Sequence, residues 1–132
     1  VDFCFIDGGH DYWTVKHDFL AALRVAQPHC QFLFDDYTAR KEYGIQRLID
    51  NELIPRLPAK TLEVIDLESR DVTVLGEDVP HLMALLDGCR TPGETLEHLY
   101  SRGERTWFGV QYRLAAAKQR LRSLVKRPRW AK

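Results

Sequence analysis

Neither a Gly-x-Gly-x-x-Gly turn nor a Gly-x-x-x-x-Gly-Lys-Ser/Thr loop occurs in the 132 residues. These residues therefore carry no glycine loop of the kind that cradles a pyrophosphate or a triphosphate. Cysteine is sparse: Cys4, Cys30 and Cys89 lie far apart, without Cys-x-x-Cys spacing. An odd number excludes a fully paired intramolecular disulfide framework and points to a reducing, cytosolic setting. No apolar run approaches the ~18 residues that a membrane-crossing helix needs. Charge excess is absent too. With 19 basic and 19 acidic residues the formal net charge is +0, so there is no global argument for nucleic acid or an anionic surface. There is no internal repeat and no low-complexity tract.

What is present is ordinary globular composition, 45% hydrophobic and 29% charged, with length enough for a core. The informative stretch is Val1 to Thr38. Val1 to Ile6 is an apolar run ending in Asp7. Gln31 to Phe34 is a second, ending in Asp35 and Asp36. Runs with little alternation predict strands buried on both faces, as in a parallel sheet. The segment Asp11 to Ala26 is long enough for the crossover helix that parallel strands require. Val15, Phe19, Ala22, Leu23 and Ala26 make its apolar face, His17 and Asp18 lie opposite, and Asp11 is its cap. Pro28 ends it. Ligands of such sheets bind beyond the carboxyl ends of the strands. Asp7, His10, Asp35 and Asp36 are thus expected at one rim, with Gly8-Gly9 allowing close backbone approach. Three carboxylates and an imidazole there suit a metal site or acid–base chemistry.

The motif FIDGGHDYWTVKHD followed by FLFDDY resembles class I S-adenosylmethionine-dependent methyltransferases of the O-methyltransferase-like group. The resemblance covers about Val1 to Asp50, and Lys60 to Glu77 loosely. It implies the C-terminal half of a Rossmann-like α/β fold: a mainly parallel sheet with flanking helices, ending in an antiparallel hairpin. It also implies S-adenosylmethionine as cofactor, lined by Asp7, Gly8 and Gly9. A divalent ion, Mg²⁺ by its preference for hard oxygen ligands, would be held by Asp7, Asp35 and Asp36. His10 stands where the catechol enzymes of the group have a general-base Lys, so it is the expected base. Tyr12, Trp13 and Tyr37 are candidate walls of the acceptor pocket. His29-Cys30 stands where the family often has Gly-Gly, which touches only a turn. A chain that opens directly on a strand is expected to be the later part of a longer protein. Roughly 100 residues would precede it, including the cofactor's Gly-rich loop, and the fragment alone would be inactive and prone to self-association along an open strand edge.

Further on, Tyr43 to Leu53 is a predicted helix with Ile45, Leu48, Ile49 and Leu53 inward and Pro55 as its stop. Lys60 to Leu67 and Val72 to Leu75 are two strands, with Glu68 to Asp71 as the hairpin turn. Pro80 to Leu86 is a short helix, Gly88 to Gly93 a loop, and Pro92 to Tyr100 another helix capped by Thr91. Gln111 to Val125 is a helix of strong formers, striped by Leu114, Ala117, Leu121 and Leu124. This divides the chain into a methyltransferase half-domain, residues 1–78, and a basic helical extension, residues 79–132. The basic end can pack on its own domain with its charges solvated, lie on an anionic membrane, or meet RNA.

The expected reaction is metal-assisted O-methylation of a small-molecule or sugar hydroxyl, in a protein able to form homo-oligomers. Two other readings come from different classes. FLFDD also fits the Mg²⁺-holding strand of a P-loop NTPase, although that leaves IDGGHDY unexplained. A non-catalytic binding module working through the basic helix is the other.

Overall fold

The computed structural model describes residues 1–37, 44–59, 61–74, 77–88, 96 and 98–125. It is mixed α/β, with one four-stranded sheet and helices. Two compact units divide the chain, Val1–Leu99 and Tyr100–Lys132.

In the first unit, β1 (Phe3–Ile6) runs parallel to β2 (Gln31–Phe34), with Phe3 opposite Gln31 and Ile6 opposite Phe34. The crossover between them is α1 (Tyr12–Leu23). Asp11 caps it as its sequence predicts. Its Oδ1 accepts from the Trp13 and Thr14 amides at 3.0 and 3.2 Å, and its Oδ2 from the Thr14 hydroxyl at 2.6 Å. That satisfies donors which a helix start leaves unpaired. Val15 and Phe19 are buried, and the Phe19 ring meets Phe32 at 5.1 Å, edge-on, and Phe34 at 5.4 Å. These aromatic contacts add to the burial that holds helix to sheet.

β1 departs from expectation. Its burial alternates: Ile6 is buried, whereas Phe3 and Phe5 are 53% and 51% exposed. An apolar run shows that a strand can be covered on both faces. It does not show that two covers exist.

The hairpin is present but its turn is displaced. β3 (Leu62–Val74) continues through Glu68 to Asp71 and pairs antiparallel with β4 (Glu77–Asp87). The polar residues lie where the pairing shifts, between Asp66 opposite Leu82 and Asp71 opposite Pro80. Proline donates nothing to a ladder, so a bulge beside Pro80 is the natural place for unpaired residues. The helix expected over Pro80 to Leu86 is therefore strand. β4 inserts between β2 and β3, giving the order β1-β2-β4-β3. It crosses residue 78, where the sequence reading divided the chain. The expected loop over Gly88 to Gly93 and helix over Pro92 to Tyr100 fall largely outside the described residues.

The segment after the acidic pair is helical, as expected, but not uniformly α. α2 (Gly44–Leu48) passes into a π-turn, Ile49–Leu53, and a 3₁₀ turn, Ile54–Arg56. Ile45, Leu48, Ile49 and Leu53 are all buried. Pro55 sits in the first turn of the 3₁₀ segment, where its missing N–H is harmless. Gly44 lets this segment touch α1. A Cβ there would lie 1.9 Å from the Tyr12 nitrogen and 2.3 Å from the Asp11 carbonyl carbon.

The second unit is built on α3 (Arg102–Val125). It starts nine residues earlier than the reading from Gln111. Ser101 and Glu104 form a reciprocal capping box: the Glu104 amide donates to Ser101 Oγ at 3.1 Å, and the Ser101 amide donates to Glu104 Oε2 at 2.8 Å. That Ser-x-x-Glu signal was legible, but Gly103 and Gly109 lower the local propensity and obscure it.

Candidate functional site

The carboxyl ends of β1 and β2 lie side by side because the strands are parallel and in register. The Asp35 amide donates to the Ile6 carbonyl at 3.0 Å, carrying the pairing one residue past β2. The chain then turns sharply. Asp36 has a left-handed backbone, φ 54°, the one positive φ among the described non-glycine residues. Asp tolerates this conformation better than most side chains. Its amide donates to the Asp35 side chain at 2.9 Å.

At this turn the Asp36 carboxylate meets the His10 imidazole, Nδ1 to Oδ2, at 2.7 Å. The His10 side chain is 55% exposed and that of Asp36 19%. A carboxylate only accepts, so Nδ1 carries the proton, and in the neutral ring Nε2 has the lone pair. The His10 carbonyl accepts from the Gly44 amide at 2.7 Å. The loop bearing the imidazole is thus held by β1, by the cap of α1 and by the start of α2.

Asp7 is exposed at the end of β1. With Gly8 it borders a cavity of about 370 Å³ whose other walls are Cys4, Phe5, Ile6, Asp18 and Ala22. A Cβ on Gly8 would lie 2.6 Å from Asp18 Oδ2, and one on Gly9 2.9 Å from the Thr14 methyl. The cavity has an apolar wall and an acidic rim.

The rim does not suit the expected metal. Among the described residues, no three His, Cys, Asp or Glu side chains gather as they would around an ion. Asp36 is paired with His10 instead. Proximity of strand ends in the sheet brings the acids to one rim. It does not aim their carboxylates at one point.

The aromatic residues expected around an acceptor are tied into the fold. Tyr37 donates its hydroxyl to Asp50 Oδ1 at 2.8 Å. Burial, then the bond to Asp50 and its charge, push its pKa up to about 12. Tyr12 donates to Glu52 Oε1 and accepts from Lys16 Nζ, which also reaches Glu52 Oε2 at 2.7 Å. Burial foremost raises the Tyr12 pKa. Its ring lies edge-on to Trp13 at 5.3 Å, and Arg47 stacks above it at 4.0 Å. Sequence reading missed this group. Lys16 and Glu52 are 36 positions apart, and a buried lysine in an apolar helix face has no local signature. Cys30 is fully buried and Cys4 partly so. Burial and the neighbouring Cys4 push the Cys30 pKa up to about 11, so it is inert as a nucleophile.

Residues 1–37 match the family model described as a methyltransferase domain. The matched stretch holds β1, α1, β2, the glycine pair and both partners of the His10–Asp36 contact. No curated protein and no solved structure matches the chain.

Proposed function

We propose that the chain is an S-adenosylmethionine-dependent methyltransferase whose acceptor hydroxyl is deprotonated by His10 with Asp36 behind it. The carrying observation is the 2.7 Å His10–Asp36 contact at the ends of two parallel strands, inside the stretch that matches a methyltransferase domain. On this reading the sheet is the C-terminal half of a Rossmann-like methyltransferase fold. The acceptor is a small molecule bearing a hydroxyl, such as a sugar.

When bound, S-adenosylmethionine supplies a methyl group activated by its sulfonium. Asp7, Gly8 and Gly9 would hold it, the carboxylate as an acceptor for its hydroxyls or positive charge and the glycines by letting backbone come close. His10 takes the acceptor's proton at Nε2 as the hydroxyl oxygen becomes the nucleophile. Asp36 holds the ring in the correct tautomer and stabilises the imidazolium, the role of a carboxylate behind a catalytic histidine. A base so placed contributes about 10²–10⁴-fold. No step uses a divalent ion.

The test has two parts. Titration of S-adenosylhomocysteine into the ¹⁵N-labelled full-length protein should shift the Asp7, Gly8 and Gly9 amides. Release of S-adenosylhomocysteine by the full-length protein is then followed with a panel of sugar and phenolic acceptors. His10→Ala should lower turnover by about 10²-fold or more with the amide titration unchanged. No shift at those amides up to millimolar cofactor would overturn the methyltransferase reading. Full turnover in His10→Ala would overturn the assignment of the base alone.

A further inference from the structure

The second unit presents an apolar stripe that the methyltransferase reading does not use. Trp107, Val110, Leu114 and Leu121 of α3 are 63, 45, 66 and 64% exposed. With Ala117 they recur at alternating intervals of three and four. At about 100° per residue all five fall within an arc of about 80°. From Trp107 to Leu121 the stripe runs about 21 Å along the axis. Phe108, which is buried, and Tyr112 stack at 6.1 Å about 140° and 180° round the helix from the middle of the stripe. The stripe is therefore a second face, separate from the one that carries these two rings.

Charge borders this face on both sides. Arg113 and Arg120 flank one edge, and Lys118 and Arg122 the other, each within about 60° of the stripe. After Glu104 the sequence holds nine basic residues and no acidic one. The whole chain is neutral, so this is segregation of charge and not excess.

Three occupants can be weighed. A second copy of α3 would meet the stripe as a coiled coil, because the intervals are those of a heptad seam. The seam-flanking positions then hold Arg113, Lys118 and Arg120, which face like charge in both parallel and antiparallel pairings. RNA would reward the cations but not four exposed apolar side chains. An anionic lipid surface uses both features. Leu, Val and Trp enter the acyl boundary, and long Lys and Arg stems lift their charges to the headgroups. Trp107 at the edge of the stripe is the side chain such an interface favours. Among the described residues no helix is long and apolar enough to cross a membrane, so α3 would lie on the surface.

We infer that α3 is a peripheral membrane-binding helix, and that it docks this protein on anionic lipid headgroups through Trp107, Val110, Leu114 and Leu121. Cosedimentation of the full chain with phosphatidylcholine vesicles, with and without phosphatidylserine, tests it. The protein should pellet with the phosphatidylserine vesicles and stay in solution with phosphatidylcholine alone. Lys118→Gln with Arg120→Gln should weaken vesicle binding on the order of tenfold or more. Leu114→Ser with Leu121→Ser should abolish it, with circular dichroism showing both variants folded. Protein that stays in the supernatant with anionic vesicles overturns the inference. So does binding that survives the leucine variant. If the wild type sediments as a dimer without lipid and the leucine variant as a monomer, a second copy is the occupant. If a single-stranded RNA oligomer is bound and the leucine variant retains that binding, the face is a nucleic-acid surface. Either outcome replaces the lipid.

Discussion

Gly44→Ala joins fold to site in one methyl group. The added Cβ would lie 1.9 Å from the Tyr12 nitrogen and 2.3 Å from both the Asp11 carbonyl carbon and the Tyr12 Cα. All three are backbone atoms at the start of α1, so no side chain can rotate away. Either α2 or the α1 cap must shift. Overpacking of this kind costs about 1–3 kcal/mol. The shift also removes the hydrogen bond from the Gly44 amide to the His10 carbonyl, 2.7 Å long, for about 0.5–1.5 kcal/mol more. The sum is about 1.5–4.5 kcal/mol, a large part of the 5–15 kcal/mol typical of a domain. At about 4–8 °C per kcal/mol for a unit of this size, Tm should fall by at least ~6 °C. Thermal denaturation followed by circular dichroism measures it. Gly109→Ala is the control, since a Cβ there meets nothing within 4 Å. Within helix α3 that change should stabilise by up to about 1 kcal/mol. The second readout is the site. The His10 ring ¹⁵N shifts report whether Nδ1 still donates to Asp36, and in Gly44→Ala they should change. A variant with unchanged Tm and unchanged ring shifts would refute the claim that Gly44 sets the position of His10.

Two further outcomes follow from the buried polar groups. Lys16 and Glu52, with side chains 11% and 16% exposed, should each cost about 2–3 kcal/mol when truncated singly, as Lys16→Met or Glu52→Gln, somewhat less than a fully buried pair. The double variant should recover most of that loss in urea denaturation, and single losses under about 0.5 kcal/mol would show the pair to be solvated in effect. Tyr37 keeps its proton in the fold to about pH 12 against an ordinary 10.0. The unfolded chain releases that proton first, so this contribution is complete below pH 10 and is lost as pH rises toward 12. Urea midpoints measured from pH 9 to 12 should fall less steeply in Tyr37→Phe than in the wild type, while equal slopes would mean that the bond to Asp50 does not form.

Neighbours along the chain settle one part of this structure. Asp11 caps a helix because its oxygens reach amides two and three residues ahead. Ile45, Leu48, Ile49 and Leu53 point inward because helical spacing puts them on one side. The two apolar runs pair in parallel because the helix between them is long enough to carry the chain back. The acids at their ends then share a rim, and that much of the candidate site was legible. Tertiary structure decided the rest, because these outcomes depend on segments that sequence spacing does not bring together. The hairpin turn lies past Glu68 to Asp71 because β4 aligns Pro80 with Asp71 across the ladder. Lys16 is buried because Glu52, 36 residues on, meets it there. Asp36 meets His10 because its backbone turns to positive φ and its carboxylate closes on the imidazole. Phe3 and Phe5 stand half exposed and Leu114 and Leu121 more so, because an apolar stripe states what a surface can bury and only the packed chain decides what covers it.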